Sequence, residues 1–234
     1  MSARFWDDYF APGGGWEQNG GRRQTRVFAD RFCKAVRLDS RAPFALLDFG
    51  CALGEALKVF HRRYPRAILT GMDVSRVAIR RCAAEIGSIA RLEVGSVTDV
   101  EGQYDVIYAS NVLEHFVDYR SAARQLLAHW RRLCMMVPFV QTDEGGLPLR
   151  PDPAKGDGAE AHHHTFHRES FEFLVQEGLA SGIAFRTVAC PGAWGWGQRE
   201  RLRHCYRNFF RRLRGKPPRL GPLQAIYDIR GKGG

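Results

Sequence analysis

Several features are missing from these 234 residues, and each absence removes a class of protein. No apolar run is long enough to cross a bilayer, so a membrane-spanning helix is not expected. Residues 1–10 carry Arg4, Asp7 and Asp8 where an export signal needs an apolar centre, so a cytoplasmic location is expected. The six cysteines, at 33, 51, 82, 134, 190 and 205, form no C-x-x-C pair and several lie in apolar segments. That pattern leads to buried thiols in a reducing compartment, with neither disulfides nor a metal set. The G-x-G-x-x-G spacing of a dinucleotide-binding turn is also missing.

What is present is a strand running into a tight turn. Leu46, Leu47, Asp48 and Phe49 form an apolar run broken by one carboxylate, followed by Gly50-Cys51-Ala52-Leu53-Gly54 and then by helical spacing from Glu55 to His61. Small residues at 50, 52 and 54 let backbone approach a ligand at a helix N-terminus. Ala52 needs a negative φ, or it carries strain. A pyrophosphate would be repelled by Asp48 and Glu55, whereas a ligand carrying an ammonium and a sulfonium would not.

A second apolar strand, 67–74, ends in Asp73, placed to accept both hydroxyls of a ribose. Strand-like runs at 91–97 and 104–110 follow. Ser96 and Val97 stand at the tip of the first of these, with Asp99 as a second candidate for contact with a base. Asn111-Val112-Leu113-Glu114-His115 stands after the next. Helical spacing over 119–130, a fifth strand at 132–138, a sixth at 182–190 and a seventh at 223–230 complete the pattern. The reading is one domain over 1–234. It comprises an arm and helix (1–43), a ligand-binding half (44–140), a lid loop rich in Gly and Pro (141–169) and a C-terminal half (170–234) with a basic helical insertion at about 191–221.

On these residues the chain resembles the class I S-adenosylmethionine-dependent methyltransferases, with 46–55 as the acidic G-x-G-x-G motif and 111–115 similar to the E-V-L-E-H pattern of the group that includes ubiquinone-biosynthesis enzymes. The resemblance spans about residues 44–180. Ala52 replaces the middle Gly and Asn111 the first Glu of the second pattern, which removes one acid from any cation site. It implies an α/β, Rossmann-like sheet of seven strands, mostly parallel with an antiparallel last strand and helices on both faces. It also implies S-adenosyl-L-methionine as cofactor, held by Asp48, Gly50, Cys51, Ala52, Gly54, Asp73, Val74, Ser96, Val97 and Asn111. Arg22 and Thr25, with Gln24, are candidates from the arm for the cofactor carboxylate.

His115 and His164 are the candidate bases for a hydroxyl acceptor, because histidine titrates near neutrality. A small-molecule or conjugated-metabolite acceptor is expected. Nucleic-acid amino methylation would call for P-P-Y or P-P-F after the fourth strand, and cytosine-C5 chemistry for a Pro-Cys pair, and neither is there. Nucleic acid stays as the alternative because 198–219 holds nine Lys or Arg against the single acid Glu200, much of the formal net charge of +10. The amphipathic helix read over 198–214 would meet an anionic surface, either membrane or nucleic acid. A third reading is a non-catalytic subunit that docks through that helix.

Overall fold

The computed structural model describes residues 3–129, 131–139, 163, 164, 166–190, 213 and 223–232. Residues 141–162 and 165 of the lid loop and nearly all of the basic segment 198–214 lie outside the described residues.

Helices α1 (Ala3–Tyr9), α2 (Gly15–Gln18) and α3 (Gly21–Ala35) lead into an alternating β/α chain. This consists of β1 (Ala45–Phe49), α4 (Glu55–Arg63), β2 (Ile68–Asp73), α5 (Arg76–Ile86), β3 (Arg91–Val94), β4 (Val106–Ser110), α6 (Tyr119–Leu127) and β5 (Arg132–Phe139). Then come α7 (Phe173–Gln176), β6 (Ala180–Ala189) and β7 (Leu223–Gly231), with short 3-10 turns at Val97–Asp99 and Leu113–His115.

The sheet has the order β3-β2-β1-β4-β5-β7-β6. The first five of these strands are parallel, and β7 runs antiparallel to both β5 and β6. This is the mostly parallel seven-stranded sheet with a reversed last strand that the resemblance implied. Strands buried on both faces must be apolar throughout, which is why β1 and β4 read as short continuous runs rather than alternations. On one face Phe28 and Phe32 of α3, Phe60 of α4 and Cys82 of α5 cover Leu46, Tyr108 and Met136. On the other, Ala122 and Leu126 of α6 and Phe173 and Leu174 of α7 cover Leu47, Ile107 and Met135.

Local chemistry sets the helix bounds. Ser75 Oγ accepts from Ala78 N (3.0 Å) at the start of α5, and Asp118 Oδ1 from Ser121 N (2.9 Å) at the start of α6. The spacing predicts a helix to Trp130, yet α6 stops at Leu127. Ala128 N and His129 N tighten onto the Gln125 and Leu126 carbonyls, and His129 O is taken by Tyr104 N. Helix α3 starts at Gly21, after Gly20 in the left-handed region.

The glycine-dense arm is docked against α5. Asp7 Oδ1 accepts from Ser75 Oγ (2.7 Å) and Val77 N (3.1 Å), while Arg81 donates to Phe10 O (2.6 Å) and Glu17 (2.5 Å).

Strand order reverses on either side of β1, whose neighbours β2 and β4 lead to opposite halves of the sheet. In such sheets the crevice outside the carboxyl ends at this point is where ligands bind.

Candidate active site

At the end of β1 the backbone folds over the tip of β2: Gly50 N and Cys51 N both donate to Met72 O, at 2.8 and 3.0 Å. Alternate residues of the turn are left-handed, with φ of 78° at Gly50, 49° at Ala52 and 75° at Gly54. A Cβ on Gly50 would lie 2.3 Å from Val112 Cγ2, and one on Gly54 would lie 2.5 Å from Cys82 Sγ. Geometry and space therefore both demand glycine at 50 and 54. Ala52 takes the strained alternative, a left-handed backbone costing about 1 kcal/mol. Its N–H donates to Asp73 Oδ2 at 2.9 Å, which offsets that cost.

Asp73 also accepts from Ser75 N through Oδ1, at 2.9 Å. Burial raises its carboxyl to about 6 against the lowering effect of these two N–H bonds. Asp48, 2 % exposed on the adjacent strand, is pushed up to about 8, by burial first and by the charge of Asp73 second. Its Oδ2 has no partner among the described residues, nor do Asn111 Oδ1 and Trp16 Nε1.

These groups face a cavity of about 450 Å³. Its floor is Asp48, Gly50 and Ala52; Asp73 and Val74 form one side, followed by Gly95 and Ser96. Ser110, Asn111, Val112, His115 and Phe116, from the tip of β4 and the turn after it, form the other side. Asn111 has φ 54°, a conformation that asparagine tolerates better than the glutamate it replaces. Gln24, Thr25 and Phe28 of α3 reach the cavity, and Trp6, Tyr9, Phe10 and Trp16 roof it.

Five expected site residues do not line it. Arg22 Nη1 donates to Glu55 Oε1 (2.7 Å) and its guanidinium pairs with Glu85, so it anchors α3 to α4 and α5. Cys51 points into the core beside Leu57 and Cys82, Gly54 faces α5, and Val97 packs in the opposite core. His164 holds the Val117 carbonyl at 2.9 Å and rests against the Tyr119 ring. Asp99 is likewise committed, accepting from Ser96 N at 2.8 Å.

The charge argument from Glu55 also changes: this side chain is buried and matched by Arg22, Arg26 and Lys58, so the acids that act on the cavity are Asp48 and Asp73. The aromatic roof was not anticipated, although Trp6, Tyr9 and Phe10 share one helical face by their spacing. Among the described residues no three His, Cys, Asp or Glu side chains are grouped to hold a metal ion. The five described cysteines are free and buried.

The strand order and the reversed last strand are those of a Rossmann-like methyltransferase fold. In this chain residues 47–135 match the family described as a methyltransferase domain.

It is 28% identical over 127 residues to the trans-aconitate 2-methyltransferase of Deinococcus radiodurans, a match covering 54% of this chain and 42% of that protein. The chain thus spans less than half the length of that relative. Among solved structures, a plantazolicin methyltransferase bound to a substrate analogue and S-adenosylhomocysteine superimposes with a TM-score of 0.56 at 18% identity, covering 98% of this chain and 90% of that one. The magnesium protoporphyrin IX methyltransferase of Synechocystis PCC 6803, bound to S-adenosylmethionine, gives 0.55 at 13%, covering 91% and 80%. At these identities the two structures share the fold.

Proposed function

We propose that the protein methylates a hydroxyl oxygen of a small-molecule acceptor, using S-adenosylmethionine bound in the cavity between β1, β2 and β4. The observation that carries the reading is the pairing of Asp48 and Asp73 on adjacent strand tips, both facing one cavity, with Asp48 Oδ2 left without a partner among the described residues. A buried acceptor atom without a donor is costly, and a cofactor ammonium would satisfy it.

The remaining residues fit the same ligand. Asp73, fixed by two N–H donors, accepts the ribose hydroxyls; Gly50 and Ala52 let the backbone approach the thioether chain. Ser96 and Val74 flank the base, and Thr25 and Gln24 stand at the carboxylate end. When bound, the cofactor supplies an electrophilic methyl whose displacement onto oxygen returns an electron pair to sulfur. The roof from α1 and α2 keeps water out, and the walls align the acceptor, which is where most of the rate gain arises. His115, at the tip of β4, takes the hydroxyl proton.

The reading is tested by calorimetric titration of S-adenosylmethionine into wild type and Asp73→Ala. Wild type is expected to bind, and the variant to lose about 2 kcal/mol or more, roughly thirtyfold in affinity. Absence of binding by wild type at millimolar ligand would remove the proposal.

A further inference from the structure

We infer that the indole N–H of Trp16 holds the carboxylate at the amino-acid end of the cofactor, a role for which the sequence suggested Arg22; the inference rests on the methyl-transfer reading above. Trp16 lines the cavity from the arm, yet its Nε1 is buried with no acceptor among the described residues. A buried N–H without an acceptor is costly. A carboxylate oxygen removes that cost through a charge-assisted hydrogen bond.

The ring is held in place by its support. A Cβ on Gly21 would lie 2.3 Å from Trp16 Cδ2, so the indole sits directly against the bare first residue of α3. No side chain caps the start of this 15-residue helix, whose N-terminus favours negative charge. Gln24 and Thr25, one turn further along, reach the same cavity and add neutral donors. Cations offer no alternative among the described residues. The lining holds no Lys or Arg: Arg22 is engaged with Glu55 and Glu85, and Arg81 with Glu17 and the Phe10 carbonyl. With Asp48 taking the ammonium, both charges of the zwitterion are then met, one by a carboxylate and the other by N–H and O–H donors.

The test is calorimetric titration of S-adenosylhomocysteine and of methylthioadenosine, which keeps the adenosine and thioether but has neither carboxylate nor ammonium, into wild type and Trp16→Phe. The variant keeps a ring against Gly21 and removes only the donor. Its affinity for S-adenosylhomocysteine is expected to fall about tenfold, and that for methylthioadenosine to stay within about twofold of wild type. In isotope-labelled wild type the Trp16 indole proton is expected to move downfield with S-adenosylhomocysteine and not with methylthioadenosine, a readout that needs no substitution. Unchanged S-adenosylhomocysteine affinity in the variant, an equal loss for both ligands, or an indole proton that responds alike to both would each overturn the role of Trp16 and leave the cofactor reading standing. Failure of S-adenosylhomocysteine to bind wild type would remove both.

Discussion

Asp48 gives the most discriminating test, because its charge is unfavourable to the empty protein and favourable to a cationic ligand. Burial and the neighbouring Asp73 push its carboxyl up to about 8, against an ordinary 3.8. With a folded-state value above the unfolded one, the folded protein holds its proton more tightly. Stability of the ligand-free protein therefore falls as pH rises from about 4 to about 8, by at most about 6 kcal/mol.

A cofactor ammonium against Asp48 reverses the preference, so binding becomes tighter as pH rises, by up to about tenfold per pH unit below about pH 7.5, where the ligand amine begins to lose its own proton. The assay is calorimetric titration of S-adenosylhomocysteine at about pH 5.5 and about pH 7.5, together with thermal unfolding of the empty protein, for wild type and Asp48→Asn. The variant is expected to be as stable as wild type or more so near pH 8, to bind at least about tenfold more weakly, and to lose most of the pH slope. Equal wild-type affinity at both pH values, or an unchanged slope in Asp48→Asn, would refute the assignment of Asp48 to the ammonium.

Two substitutions separate the cavity from its support. Gly50→Ala sets a methyl against Val112 on the cavity floor and Gly54→Ala sets one against Cys82 and Ile86 behind it, both at positive φ. Each is expected to destabilise by about 2 kcal/mol or more in chemical denaturation; a neutral result at either position would contradict the packing described. Arg22→Ala leaves Glu55 buried with only Arg26 and Lys58, at an expected cost of about 2 kcal/mol in urea unfolding. The same variant should lose acid stability. Arg22, then Lys58, holds the Glu85 carboxyl down to about 2, so the contribution present above the ordinary 4.5 disappears as pH falls toward about 2. An unaltered acid limb would show that the pair contributes nothing in solution.

Much of the fold could be read from the chain because its signals are local. Apolar runs ending in Asp48 and Asp73 mark buried parallel strands. The alternating small residues at 50, 52 and 54 betray three left-handed positions, and the alanine in the middle is legible as strain. What the sequence did not show depends on contacts between distant segments. Arg22 looks like a ligand-binding arginine until Glu55 and Glu85, 33 and 63 residues away, come to rest beside it. Likewise, His164 resembles a base until its Nε2 comes to rest 2.9 Å from Val117 O. The aromatic roof has helical spacing, but which groove a short helix covers is set by tertiary packing with α5.

Ser75 joins the arm to the cavity wall in a way that bears on how this chain can be cut or grafted. Its hydroxyl donates to Asp7, that same oxygen caps α5, and its N–H orients Asp73. One residue thus ties the first helix to Asp73. A fragment limited to the family-matched span 47–135 would keep the turn and both acids, yet lose the tether and the ceiling above them. Transplanting this cavity to another scaffold requires the leading helices to travel with it as a single inheritable unit.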